Sequence, residues 1–214
     1  MWTEIAHHIS RISGKEFFVN SRRTVSGGCI NQGYAVTDGD RTYFVKLNSA
    51  SQVAMFEAEA LGLKQMLATA TIRVPQPICW GVTNESAYIV LEWLDLGRGG
   101  NWAEMGRQLA AMHARSSIQA FGWEINNTIG STPQINTWTT DWGEFYIQHR
   151  LGYQFQLARR RGGRFPQQDK LLATIGQLLA HQPSPSLVHG DLWGGNAAFT
   201  STGEPVIFYP ATYY

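Results

Sequence analysis

Apolar residues near the start of the chain fall at Trp2, Ile5, Ile9 and Ile12, the spacing of one helix face. The pattern then changes. Residues 16–25 read as a strand, and "TYFVKLN" at 42–48 alternates, with one Lys among apolar neighbours. Between these stretches Asp38-Gly39-Asp40 has the chemistry of a hairpin turn. Helical periodicity returns over 52–68, a segment that carries Glu57, Glu59 and Lys64. "VPQPICWGVT" is extended and punctuated by proline, and "SAYIVLEWL" reads as a buried strand.

A Gly-rich connection at Gly97–Gly100 follows, and beyond it the pattern is mostly helical. Helices are expected over 101–117, 140–161 and 167–181, with a Pro/Asn/Thr-rich loop at 126–139. The apolar run "SLV" then predicts a short core strand, and "NAAFTSTGEPVIFY" a hairpin turning near Thr202-Gly203. The chain thus divides into a β-rich front, residues 1–97, and an α-rich back, residues 98–214, with the glycines as hinge. No internal repeat interrupts this order.

Composition narrows the classes of function. Of 214 residues, 43% are hydrophobic and 15% charged, enough apolar material for a packed core. The net charge of +1 offers no footprint for nucleic acid, and the run Arg159-Arg160-Arg161 reads as a helix-end cap or a solvated cluster. No window approaches the roughly 18 apolar residues of a membrane span. The first ten residues, with an early acid and two histidines, do not suit a signal peptide, so a cytoplasmic protein is expected. Two cysteines, Cys29 and Cys79, make neither a disulfide framework nor a zinc site.

Three stretches carry candidate chemistry. "SGGCIN" at 26–31 puts Gly27, Gly28 and Cys29 between two strands. It reads either as a tight hairpin or as a loop whose amides cradle phosphates. Lys46 follows on a strand, either as an ordinary surface Lys or as a group that reaches a nucleotide's phosphates. In the second role it needs an acid. Glu57 and Glu59 are two positions apart on the next helix, so only one of them can face it. Finally, "LVHGDLWGGN" at 187–196 places Asp191 five residues before Asn196. That spacing suits phosphoryl transfer, with an Asp orienting the attacking hydroxyl and an Asn holding magnesium. Gly-rich loop, strand Lys, helix Glu and His-x-Asp-x₄-Asn stand in the order of a kinase-like fold.

"GGCIN", "FVKLN", "EAEALGL", "VPQPICWG", "STPQINTW", "HGDLWGGN" and "PATYY" together resemble the fructosamine (ketosamine) kinase family, over nearly the whole chain. The resemblance implies an α+β, two-lobed protein-kinase-like fold: a small antiparallel β lobe, a mainly helical lobe, and ATP between them. It implies γ-phosphate transfer to a sugar hydroxyl of a ketosamine, free or protein-bound, with ATP and Mg²⁺ as cofactors; the phosphorylated adduct falls apart, which is deglycation. By position, Lys46 would pair the phosphates, Glu59 would hold Lys46, and the backbone at Glu92, Trp93 and Leu94 would meet adenine. Asp191 would be the catalytic base and Asn196 a metal ligand.

Two departures accompany the resemblance. The family carries a metal-binding Asp before "Pro-Ala" on the last strand, and this chain has Tyr209 there. Family members also continue in further helices beyond the position of Tyr214, so those helices are expected to be missing here. Alternative readings are a nucleotide-binding pseudokinase without turnover, a truncated gene product, and a relative of aminoglycoside or choline kinases. Cys29, in an electropositive loop, is a candidate for a disulfide-linked homodimer; the alternative is an inert, reduced thiol.

Overall fold

The structure is a computed structural model that describes residues 1–25, 30–115 and 117–214. Gly27, Gly28 and Cys29 of the Gly-rich stretch lie outside the described residues. Helix α1 (Trp2–Ser13) buries Ile5, Ala6 and Ile9 and stops at Gly14, whose φ of 67° is the left-handed turn that glycine adopts freely.

Five antiparallel strands follow in the spatial order β1-β2-β3-β5-β4: β1 (Ser21–Val25), β2 (Gln32–Thr37), β3 (Thr42–Ser49), β4 (Pro77–Val82) and β5 (Ser86–Glu92). Pairing in β1 begins at Ser21 rather than at residue 16. The reason is local: the Phe17 amide donates to Ser10 Oγ at 2.9 Å, and its ring is buried in the α1 cluster. Residues just before β1 are thus tied to the helix. The β2–β3 turn is closed by Asp38, whose Oδ1 accepts from the Arg41 amide at 2.7 Å.

Strand alternation sorts the sheet's two faces. Val45, Leu47, Tyr88 and Val90 pack with α1, while Ala87, Ile89 and Leu91 pack with helix α2 (Val53–Ala68). Strand β5 is therefore covered on both sides, which is why its sequence is a continuous apolar run.

The second half begins with a strapped linker. The Gly97 amide donates to Phe199 O at 2.8 Å and the Ser201 amide to Asp95 O at 2.7 Å. Helix α3 (Trp102–Ala114) starts at Asn101, whose side chain accepts from the Glu104 amide. The expected loop at 126–139 holds a small hairpin, β6 (Asn127–Ile129) with β7 (Thr132–Gln134). The helix expected over 140–161 is α4 (Trp142–Phe145), a π-helical stretch Tyr146–Gly152, and α5 (Tyr153–Arg160); α6 spans Gln168–Leu178. The hairpin β8 (Ala197–Phe199) and β9 (Pro205–Ile207) turns where the sequence predicts. "SLV" is not a strand of its own; only Val188 pairs, in a single bridge to Tyr213. One apolar cluster runs from Phe56, Leu63 and Ile89 through to Met112, Leu187 and Ile207.

Candidate active site

Alternation on β3 places Lys46 on the α2 face of the sheet, two residues from Phe44. On α2, Glu59 lies among the buried residues and Glu57 is exposed, since positions two apart point about 200° away from each other around a helix. Lys46 Nζ and Glu59 Oε2 are 2.5 Å apart, with the two residues only 6% and 7% exposed. Glu59 Oε1 has no hydrogen-bond partner among the described residues. Helix α2 approaches the C-terminal segment closely at Gly62, where a Cβ would lie 2.6 Å from Thr212 Oγ1.

The loop 189–196 is built around a buried imidazole. His189 Nδ1 accepts from the Asp191 amide at 3.3 Å, and Nε2 faces Phe208 O at 3.0 Å. That pairing assigns the proton to Nε2 and leaves the ring neutral. Burial holds the His189 pKa below the usual histidine value, against the pull of the Phe208 carbonyl and of Asp191. Gly190 has φ 79°, and a Cβ there would sit 1.9 Å from Ala211 O, so no other residue fits. Asn196 Nδ2 donates to Asp191 O at 2.7 Å and to Asp191 Oδ2 at 3.2 Å, fixing the carboxylate from behind. The sequence pair Asp191 and Asn196 is thus one hydrogen-bonded unit.

Tyr209 enters the same space. Its backbone is left-handed, φ 63°, a conformation that Gly, Asn and Asp tolerate and that is strained for a ring-bearing residue. Its ring lies 4.3 Å from Lys46 Nζ and packs on Phe208, with ring centroids 5.1 Å apart. Burial, reinforced by the Glu59 carboxylate, pushes the phenol up to about 12.

Two cavities meet here. The larger, about 270 Å³, is lined by Lys46, Glu59, Asp191, Trp193, Asn196 and Tyr209. The second, about 110 Å³, is apolar and lined by Leu91, Glu92, Trp93, Leu94 and Phe208. Val25, Phe44 and Tyr209 line both and form the wall between them. Lys46, Glu59, Asp191, Asn196 and the Glu92–Leu94 segment therefore line two adjacent cavities, while Glu57 and Cys79 lie outside both. The Glu92 side chain itself pairs with Arg73, and Trp93 Nε1 donates to Asp95 Oδ1 at 2.8 Å. What these three residues turn toward the apolar cavity is the wall of a slot.

Sequence reasoning passed over a buried amide network. Asn127 Nδ2 donates to Thr212 O at 2.8 Å, and Gln134 Nε2 donates to Ala211 O at 3.0 Å and to Asn127 Oδ1 at 2.9 Å. Asn136 Nδ2 joins them at Asn127 Oδ1, 2.9 Å away, and Asn127, Thr128 and Gly130 line the larger cavity. The three amides read as loop composition; Gln134 and Asn136 stand in the family-like segment "STPQINTW", which by itself assigned them no role.

A five-stranded antiparallel sheet with one buried Lys–Glu pair, set against a mainly helical part that carries an Asp–Asn loop, defines the protein-kinase-like class of phosphotransferase folds. An aminoglycoside phosphotransferase crystallised with AMP-PNP and hygromycin B shares that fold, at 16% identity with a TM-score of 0.61 over 98% of this chain and 72% of that one. The fructosamine kinase family model matches residues 1–214, and the chain belongs to that family. It is 56% identical to a protein of Synechocystis sp. named "Probable ketoamine kinase", over 100% of this chain and 73% of that protein. It is 46% identical to a chloroplastic protein-ribulosamine 3-kinase of Arabidopsis thaliana, over 94% of this chain and 64% of that protein. A crystal structure from Haemophilus somnus, assigned by its name to the fructosamine-3-kinases, superposes with a TM-score of 0.92 at 27% identity, covering 100% of this chain and 73% of that one.

The donor set does not fit the magnesium ion that the family resemblance implies. Hard divalent cations want several oxygen ligands, with carboxylates prominent among them. Here Asp191 supplies one carboxylate, already accepting from Asn196, and the third position carries a neutral phenol. No cluster of three His, Cys, Asp or Glu side chains suited to a metal exists among the described residues.

Proposed function

We propose that this chain carries the nucleotide-binding and phosphoryl-transfer site of a ketosamine kinase, with ATP as donor and the sugar hydroxyl of a fructosamine- or ribulosamine-type adduct as acceptor. The observation that carries the reading is the convergence of the Lys46–Glu59 pair and the Asp191–Asn196 pair on one cavity. Fold likeness alone would not specify a substrate; the names of the relatives supply that class.

In this reading the apolar slot beside Glu92, Trp93 and Leu94 takes the adenine. When ATP is bound its phosphates extend toward Lys46, whose charge Glu59 orients, and have to displace the Tyr209 ring that lies on that ammonium. Asp191 accepts the proton of the attacking hydroxyl as the new O–P bond forms and the bond to the leaving ADP breaks. Asn196 holds Asp191 in place through its amide, so the carboxylate is positioned before substrate arrives. No step is assigned to a metal ion. Gly27 and Gly28 would close over the phosphates. Residues 1–97 and 98–214 are proposed as the two lobes, and the cytoplasm as the site of action; no helix among the described residues is long and apolar enough to cross a membrane.

Cys29 is proposed as the contact of a reducible homodimer. Cys79 makes a poor alternative partner, being buried in the sheet with its thiol pushed up to about 12 by that burial.

The test is transfer of labelled phosphate from ATP to a panel of a ketosamine, kanamycin and choline, by this chain and by Tyr209→Asp. Transfer to the ketosamine by either protein, reduced by about a hundredfold or more in the Asp191→Asn background, supports the reading. Transfer to kanamycin or choline alone, or to no acceptor by either protein, overturns it.

A further inference from the structure

Lys46 is the cation that a nucleotide's phosphates would have to reach, and its ammonium is already engaged on two sides. Glu59 Oε2 lies 2.5 Å away, and the face of the Tyr209 ring lies 4.3 Å from Nζ, within the range of a cation–π contact. The Phe56 ring stands 5.9 Å off on the same ammonium. Tyr209 is wedged by Phe208 and Phe44, with ring centroids 5.1 and 6.3 Å away. It belongs to the wall that divides the apolar slot from the polar cavity holding Asp191 and Asn196. A ring is held there despite a left-handed backbone that disfavours it.

We propose that Tyr209 is a selectivity plug: its ring takes the place on Lys46 that a phosphate would occupy, so this chain admits a nucleoside to the apolar slot and discriminates against the triphosphate, with or without a divalent cation. The inference rests on the nucleotide-site reading above and deepens it. Two properties are joined in the one side chain. The ring fills space and shields a cation, and the same position lacks the carboxylate that would draw in a metal. Removing the ring and adding a carboxylate are therefore separable changes.

Calorimetric titration with adenosine and with ATP, the latter with and without Mg²⁺, separates them. This chain should bind ATP no more tightly than adenosine, and Mg²⁺ should change the ATP affinity by less than about twofold. Tyr209→Ala opens the wall without adding charge, so ATP should gain about tenfold or more over adenosine, the size of one charge-assisted hydrogen bond to Lys46, still without Mg²⁺ dependence. Tyr209→Asp also removes the ring but sets a carboxylate against the phosphates, so its gain should be small without Mg²⁺ and should rise to that size or beyond when Mg²⁺ bridges the two. Tyr209→Phe keeps the ring and should keep the preference for adenosine. The proposal is overturned if this chain binds Mg²⁺–ATP about tenfold more tightly than adenosine, or if Tyr209→Ala leaves the ratio of the two affinities where it was. If neither ligand binds any of the four proteins while their thermal melts stay cooperative, the nucleotide reading itself fails and takes the plug with it. Binding of adenosine without the predicted shifts sinks the plug alone.

Discussion

His189 shows how one side chain sets both the shape and the pH behaviour of the site. Its ring spans from the Asp191 amide to the Phe208 carbonyl, so the loop and the segment leading to Tyr209 share a single strut. A proton on Nδ1 would face the Asp191 N–H donor and break that arrangement. Because burial lowers the folded-state pKa, the unfolded chain binds this proton first as the pH drops. The stabilisation is therefore complete above the unfolded value of about 6.5 and is lost as the pH falls from there toward the folded value. The slope is at most about 1.4 kcal/mol per pH unit for one histidine. Burial moves His8, His113 and His149 in the same direction. Urea unfolding should thus give a lower stability at pH 5.5 than at pH 7.5, with a shallower dependence in His189→Gln. Equal stability at the two pH values would contradict the assignment.

At the scale of elements, the position of α2 decides whether Glu59 reaches Lys46. The helix is pressed against the C-terminal segment at Gly62, and a methyl group there would meet Thr212 Oγ1 at 2.6 Å and Thr212 Cβ at 3.1 Å. Alanine is favoured over glycine inside a helix by about 1 kcal/mol, so the sign of Gly62→Ala depends on whether the contact or the propensity wins. Thr212 is 1% exposed and its neighbours are packed, so it cannot retreat freely and the contact should win. We expect Gly62→Ala to destabilise by about 1–3 kcal/mol. Combination with Thr212→Ala, which removes the nearest atom, should recover part of the loss as a favourable coupling. Additive effects in that double-mutant cycle would show that the helix is not held at this point.

For the whole molecule, one of the two apolar clusters belongs to residues 1–97 alone and the other is shared between the proposed lobes. The cluster around Phe56 and Leu63 continues through Met105 and Met112 to Phe199 and Ile207, so side chains from both sides of the Gly97–Gly100 connection bury one another. The Arg73 guanidinium adds a polar tie, pairing with Glu92 beside the linker and with Glu204 next to β9. Such half-exposed pairs contribute little, about 0–1 kcal/mol, and the shared apolar core is the stronger link. The chain should therefore unfold in urea as one cooperative unit. Far-UV circular dichroism and tryptophan fluorescence should give coincident transitions, since tryptophans lie on both sides of the linker, at Trp80 and at Trp142 among others. Two separated transitions would show that the lobes are independent.

The sequence by itself determined what depends on neighbours a few residues away. The spacing of Trp2, Ile5 and Ile9 made α1, the Asp38-Gly39 turn set the β2–β3 register, and the apolar run of β5 announced a strand covered on both faces. The family motifs placed Lys46, Asp191 and Asn196 in the right order, and the helical period allowed only one of Glu57 and Glu59 to face the lysine. The family resemblance pointed to Glu59; that its carboxylate meets the Lys46 ammonium depends on which side of α2 packs on the sheet. Tertiary structure alone revealed the amides of Asn127 and Gln134 beneath Thr212 and Ala211, contacts that span 85 and 77 residues of chain. It also tied Phe17 to α1 and reduced "SLV" to one bridge, since a short apolar run carries no record of the partner available to it. Above all, a tyrosine at 209 reads in sequence only as a missing carboxylate. That its ring lies on the Lys46 ammonium and divides two cavities follows from packing between segments more than 160 residues apart, which no local pattern encodes.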